Sequence, residues 1–198
     1  MDQKSDTLHT SQQIMDIAQH LVQTRGFNAF SYADIARALS LSKASLHYHF
    51  ASKSDLGVSL IERYEDSFKR TLGVIDLECG EAPAKLRRYV DNYSRVLADE
   101  RMCMCGMLAA EFVTLSKAMQ TALDNFFNLN ERWLVTVLEE GRESASLHFD
   151  GSTLEAAQYI VGSLEGSMMM ARSHGGIARF DAASRHLLAD FGIYTKSL

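Results

Sequence analysis

Apolar residues return at helical spacing along almost the whole chain, and no run rich in Val, Ile or Thr alternates as a strand would. Ile14, Ile17, Ala18, Leu21 and Val22 fall at i, i+3, i+4, i+7 and i+8, one apolar helix face. A T-x-x-Q capping box at residues 10–13 should open this helix, and Arg25-Gly26 should end it through a left-handed C-cap. A second capping box, Ser31 with Asp34, opens a short helix through Ile35, Ala36 and Leu39. A third helix starts near Ser42. A fourth, capped by Ser52 and Asp55, runs through Leu56, Leu60, Ile61, Tyr64 and Phe68 toward Leu72. Residues 73–83, GVIDLECGEAP, read as a break, with Pro83 suited to the next first turn. Leu86, Tyr89, Val90, Tyr93, Val96 and Leu97 form the following face. Residues 104–115 read as a short buried helix and 116–141 as a long one. A loop at 144–152 precedes a helix from the Ser152/Glu155 capping box to about Ser173, and Asp181 should cap the last. The pattern predicts an all-α chain of about nine helices, divided into residues 8–68 and 69–198.

Composition narrows the class. The 198 residues are 46% hydrophobic and 23% charged, and contain one proline. No apolar run approaches the ~20 residues of a membrane span, and the N-terminus lacks a signal-type apolar stretch, so a cytoplasmic location is expected. Three cysteines, Cys79, Cys103 and Cys105, do not suggest structural disulfides in such a protein. The net charge of -5 argues against bulk attraction to nucleic acid but allows a local site. Residues 42–56 provide one: Lys43 and Lys53 against Asp55 alone, with two histidines.

On a helix of about 100° per residue, Leu46 and Phe50 share one face, which must be the buried one. Ala44 and Tyr48 point away from it, Ser45 and His47 flank that outer face, and Lys43 lies nearer its edge. His49 turns toward the core side. His47 and His49 sit about 200° apart and cannot grip one metal ion, and no metal or cofactor is expected. Two short helices joined by residues 39–42 have the form of a helix-turn-helix, whose second helix enters the DNA major groove. A solvated helix pair in any α-bundle would give the same pattern.

Residues 11–60 resemble the DNA-binding domain of the TetR family of bacterial regulators. The resemblance rests on Gly26-Phe27, Asp34-Ile35-Ala36, Ser42-Lys43, the aromatic run Leu46-His47-Tyr48-His49-Phe50, and Ser52-Lys53. It implies phosphate contacts at Ser31 and Lys53, where helix N-termini also favour anions. It also implies a DNA face made by Tyr32, Ser42, Lys43, Ala44, Ser45, His47 and Tyr48. Two positions depart from the family: Ala44 stands where glycine is frequent, and His47 where a tyrosine usually meets phosphate.

The remainder is similar to the family only in layout, which implies dimerisation and a small-molecule pocket. Gly162 and Gly166 let a second helix approach closely, either within the subunit or across a two-fold axis, with Leu187 and Phe191 on the last helix. Double-stranded DNA with a palindromic operator and a second copy are the partners implied, with half-sites roughly 34–36 Å apart. Tyr93, Met107, Phe127, Trp133 and Met168 are candidate pocket residues, methionine adapting well to irregular ligands. In RMCMCGMLAAE, residues 101–111, Cys103 precedes Glu111 by eight positions, a spacing that resembles regulators of electrophile or oxidant response. Cys103 and Cys105 at a helix start could form a reactive switch. They could equally be small buried hydrophobes, or sense a metal if the segment unwound. No enzyme is expected, because no nucleophile-base pairing, phosphate loop or H-E-x-x-H motif appears. The expected function is a ligand- or thiol-responsive repressor, the alternative a helical ligand-binding or thiol protein without DNA-binding activity.

Overall fold

A computed structural model describes residues 3–194, with side chains from Thr7 onward. Those residues form nine α-helices and one 3₁₀ turn, with no strand among them. The helices are α1 (Gln3–Arg25), α2 (Tyr32–Leu39), α3 (Lys43–His49), α4 (Lys53–Glu78), α5 (Ala82–Ala98), α6 (Met104–Ala110), α7 (Lys117–Glu143), α8 (Thr153–Ser173) and α9 (Gly176–Asp190). The 3₁₀ turn, Phe112–Thr114, lies between α6 and α7.

Four boundaries differ from the sequence reading. The T-x-x-Q pattern of residues 10–13 lies inside α1, which extends back to Gln3 through residues without glycine or proline. Gly73 does not break α4. Leu72 and Ile75 are buried on either side of it, and that anchoring outweighs the ~1 kcal/mol a glycine costs a helix interior. The helix expected over 104–115 stops at Ala110 and tightens into the 3₁₀ turn. Asp181 is interior to α9. Gly175 and Gly176 adopt φ of 91° and 60°, so the connection from α8 is complete by Gly176. Buried Phe180 then anchors the first turns.

The chain forms two compact units. The first comprises residues 1–66 and 103–126, the second 67–102 and 127–198. Residues 103–126, with Cys103, Cys105 and Glu111, cluster with the first unit.

In the first unit Ile14, Ala18 and Val22 of α1 are fully buried with Ile35, Leu46, Leu56 and Ile61. At about 1.5–3 kcal/mol for each large apolar side chain, this burial fixes the short helices α2 and α3, which are too short to be stable alone. Gly57 allows α4 to approach the start of α7: a Cβ there would lie 2.5 Å from the Met119 methyl carbon. In the second unit α8 and α9 pack chiefly on each other and both contact α5. Leu86, Leu134, Leu138, Ile160, Leu164, Met168 and Phe180 form its core. Lys85 is buried beside it and pairs with Glu140 at 2.8 Å and Asp76 at 3.3 Å, tying α5 to its neighbours.

Candidate nucleic-acid interface and sensor residues

The helix-turn-helix is built from local polar bonds and two apolar anchors. Ser31 precedes α2, and both its N–H and its hydroxyl donate to Asp34 Oδ2 at 2.8 Å. These bonds, led by the hydroxyl, hold the Asp34 carboxyl below the usual carboxylate range. Ser40 turns the chain with φ of 55°. Ser42 then caps α3, its hydroxyl accepting the Ser45 N–H at 3.1 Å. Leu46 is fully buried and Phe50 nearly so. Lys43, Ala44, His47 and Tyr48 are exposed, Ser45 and His49 half-buried. Tyr48 is 77% exposed, so its ring contributes little to the core. Asp55 repeats the cap at α4, accepting the Ser52 N–H and hydroxyl at 3.0 and 2.8 Å.

An open concavity of about 360 Å³ lies between the starts of α2, α3 and α4, lined by Phe30, Ser31, Tyr32, Ala33, Lys43, His47 and Lys53. It gathers both residues assigned to phosphate by resemblance, together with His47. Two members differ from expectation. Tyr32 is buried, and its hydroxyl donates to the Phe50 carbonyl at 3.0 Å, so it supports the face instead of reaching DNA. Burial, with the nearby Asp55 charge, pushes its hydroxyl up to about 12. Its ring centroid lies 4.9 Å from that of His47. Lys53 is not an open cation. Its ammonium donates to the Phe27 and Phe30 carbonyls at 2.5 and 2.6 Å and sits 4.5 and 4.3 Å from their ring centroids. Burial pulls it below the usual lysine range, opposed by the Glu111 and Asp34 carboxylates.

The fold and the exposed recognition helix meet in one comparison. The family described as bacterial regulatory proteins, tetR family, matches residues 14–59, and a tetracyclin repressor-like C-terminal domain matches residues 82–187. The chain belongs to the TetR family. A TetR-family regulator from Agrobacterium tumefaciens has a solved structure 29% identical to it, covering 93% of this chain and 98% of its own, with a TM-score of 0.91. One from Legionella pneumophila is 31% identical over 90% of this chain and 95% of its own, with a TM-score of 0.82. The HTH-type transcriptional repressor NemR of Escherichia coli K12 is 25% identical over 183 residues, 90% of this chain and 92% of its own. This TetR-family chain is accordingly a DNA-binding transcriptional regulator.

The candidate sensor residues of this regulator are divided between the two units. Cys103, Cys105, Met107 and Glu111 belong to the first unit, and Tyr93, Phe127, Trp133 and Met168 to the second. Cys103 and Cys105 are buried, and the Tyr64 hydroxyl lies 3.9 Å from Cys103 Sγ. Glu111 accepts the backbone N–H of Phe27 at 2.8 Å and that of Asn28 at 3.2 Å. Met168 is fully buried core. Tyr93 and Trp133 join a group that the apolar pattern could not reveal. The Tyr89 hydroxyl donates to Asn130 Oδ1 at 2.6 Å and lies 3.2 Å from the Tyr93 hydroxyl. The Trp133 ring stacks on Tyr89 at 5.5 Å and donates its N–H to Asp76 at 2.9 Å. Asn130 is fully buried, and its Nδ2 has no hydrogen-bond partner among the described residues.

The residues proposed to pair two copies also divide. Gly162 and Gly166 are exposed on α8 and line a shallow concavity of about 300 Å³ with Ser163, Ser167, Met170, Arg179 and Ala183. Leu187 and Phe191 are buried within the second unit, because α9 turns that face inward, and are not available to a second copy. The exposed apolar residues of these helices are Leu154, Tyr159, Met169, Met170 and Ile177. None is recognisable from spacing alone, because α8 is apolar on more than one side.

Proposed function

We propose that this regulator is a repressor that binds a palindromic operator as a homodimer and leaves it when an effector binds or a thiol is modified. The outer face of α3 carries the reading: exposed Lys43, Ala44, His47 and Tyr48 stand on a helix whose opposite face, Leu46 and Phe50, is buried. An aromatic residue 77% exposed has no part in holding the head together. Lys43 and Tyr48 can meet base edges or flanking backbone, Ala44 permits close approach, and the N-termini of α2 and α4 favour phosphates. The repressor sign follows NemR, which is named as one. The exposed α8 surface around Gly162 and Gly166 supports pairing there. A cytoplasmic site and the lack of enzymatic activity belong to the same reading.

For the effector, the Tyr89, Tyr93, Asn130 and Trp133 group is the best seat. A buried amide donor without an acceptor costs about 1–3 kcal/mol, and a ligand bringing a carbonyl or carboxylate oxygen removes that cost. Release requires that the effector bind the DNA-incompetent conformation more tightly. The thiol route has its own observation: the Tyr64 hydroxyl beside Cys103 Sγ can stabilise a thiolate. Alkylation kinetics test it. A Cys103 that reacts no faster than a free thiol, in a chain whose Cys103→Ser variant still responds, removes that route.

The reading as a whole is tested by selecting duplexes from a random library with the intact chain, then repeating the mobility shift with Lys43→Ala and Tyr48→Ala. Binding that weakens in both supports the reading, whereas a chain that selects no duplex overturns it.

A further inference from the structure

The turn Gly26 to Phe30 joins α1 to the helix-turn-helix, and it is held by two charged side chains from elsewhere in the first unit. Phe27 is gripped at both ends of its backbone. Its N–H donates to Glu111 Oε2 at 2.8 Å, and its carbonyl accepts from Lys53 at 2.5 Å. The Asn28 N–H joins the same carboxylate at 3.2 Å, and the Phe30 carbonyl joins the same ammonium at 2.6 Å. An anion thus holds the donors of the turn and a cation its acceptors. These groups lie in an irregular segment with no ladder to satisfy them, and hydrogen bonds to charged groups are the strong kind.

Further contacts lock the arrangement. Gly26 has φ of 96°, and a Cβ there would come 2.7 Å from Glu111 Oε1, so glycine is needed both for the turn and to admit the carboxylate. The Asn28 amide donates to Thr114 Oγ1 at 2.7 Å, and Thr114 Oγ1 donates to the Glu111 carbonyl at 2.7 Å. The rings of Phe27 and Phe30 lie against the Lys53 ammonium, a cation–π contact in a half-buried site. Two of its three N–H donors are engaged by carbonyls, which leaves at most one for DNA.

We propose that Glu111 and Lys53 are positioning residues for DNA recognition: together they fix the α1–α2 turn, and Glu111 carries the state of α6 to it. Glu111 directly follows α6, and Cys103 directly precedes it. A change at the Cys103 end that moves this seven-residue helix moves the carboxylate, and with it the turn that orients α2 and α3. This rests on the regulator reading and deepens it: DNA affinity is set from behind the reading face as well as on it.

The experiment uses the intact chain, a duplex that the wild type selects from a random library, and the variants Glu111→Ala, Glu111→Gln and Lys53→Met. Fluorescence anisotropy at several salt concentrations gives affinity and salt slope, hydrogen exchange gives protection of the Phe27 and Asn28 amides, and thermal melting gives Tm. Glu111→Ala should weaken binding roughly ten- to a hundredfold, the weight of hydrogen bonds to a charged group, with the salt slope little changed, Tm somewhat lowered and both amides unprotected. Glu111→Gln, which keeps an acceptor oxygen, should recover part of the affinity and of the protection. Lys53→Met should also leave the slope unchanged, because a lost phosphate contact would lower it by about 1. That drop would overturn the role given to Lys53. Wild-type affinity in Glu111→Ala, or amides that stay protected, would overturn the clamp. A wild-type chain that selects no duplex instead overturns the regulator reading, and the positioning role with it.

Discussion

The outer face of α3 and the Tyr89–Asn130 group handle polar chemistry in opposite ways. On α3 the polar groups are exposed, and the apolar side chains that hold the helix are fully covered. In the second unit the polar groups are buried among aromatic rings, and one amide donor is unmatched. The first surface is already formed, and on the proposed reading binding there need only exchange water for phosphate and base. The second carries the cost of an unmatched donor, which a ligand bringing an acceptor would relieve. Under the proposed function the two suit different tasks: a reader that keeps its shape and a sensor that does not rest at its best energy.

The contrast can be broken most sharply at Leu46. Leu46→Ala should cost about 2–5 kcal/mol, lower Tm and abolish duplex binding, because Leu46 is the fully buried side chain that seats α3. Next, Lys43→Ala and Tyr48→Ala should each weaken duplex binding by about 1–3 kcal/mol while leaving Tm in place, as measured by anisotropy and melting together. Asn130→Leu should behave in the opposite sense. It removes the unmatched donor and also the acceptor of the Tyr89 hydroxyl, which can turn to Tyr93 3.2 Å away, so Tm should change little, while any response to carbonyl- or carboxylate-bearing effectors is lost. A marked fall in Tm would mean that the amide has a structural role.

A smaller effect should appear in alkali. Tyr32 has a hydroxyl pKa raised to about 12 by burial and the Asp55 charge, so the folded head binds its proton more tightly than the unfolded chain does. Its contribution to stability is complete below the unfolded value of about 10 and is lost as pH rises through about 12. Tyr32→Phe should flatten the stability of the head across that window and remove one late-titrating tyrosine from the absorbance at alkaline pH.

Leu46, Phe50 and Tyr48 were legible in the sequence because helical periodicity alone decides which side of a seven-residue helix faces in. The capping boxes at Ser31, Ser52 and Ser152 were legible for a similar reason, since each is a local bond across three residues. The false box at Thr10 shows the limit: the same letters occur inside a helix when nothing interrupts it. The carbonyl partners of Lys53 could not be read from the sequence, because a lysine at a helix start suits a phosphate equally well. Only the fold brings the Phe27 and Phe30 carbonyls to it from 26 and 23 residues away. Glu111 was singled out by its spacing from Cys103, but its bond to Phe27 spans 84 residues and has no periodic signature. Asn130 was missed because its neighbours on α7 form an ordinary apolar face, and Leu187 and Phe191 were misplaced because spacing does not say which partner an apolar face meets.

His47 carries one more consequence. Its Nδ1 lies 3.0 Å from the Ala51 carbonyl, which can only accept, so that nitrogen holds a proton. In the neutral ring the other nitrogen then offers only a lone pair, which a phosphate oxygen cannot use. A direct bond from His47 to the DNA backbone would therefore have to come from Nδ1, in exchange for its bond to the Ala51 carbonyl. A tyrosine hydroxyl at this place has no bond to Ala51 to give up, so His47→Tyr should preserve or tighten duplex binding, as anisotropy would show.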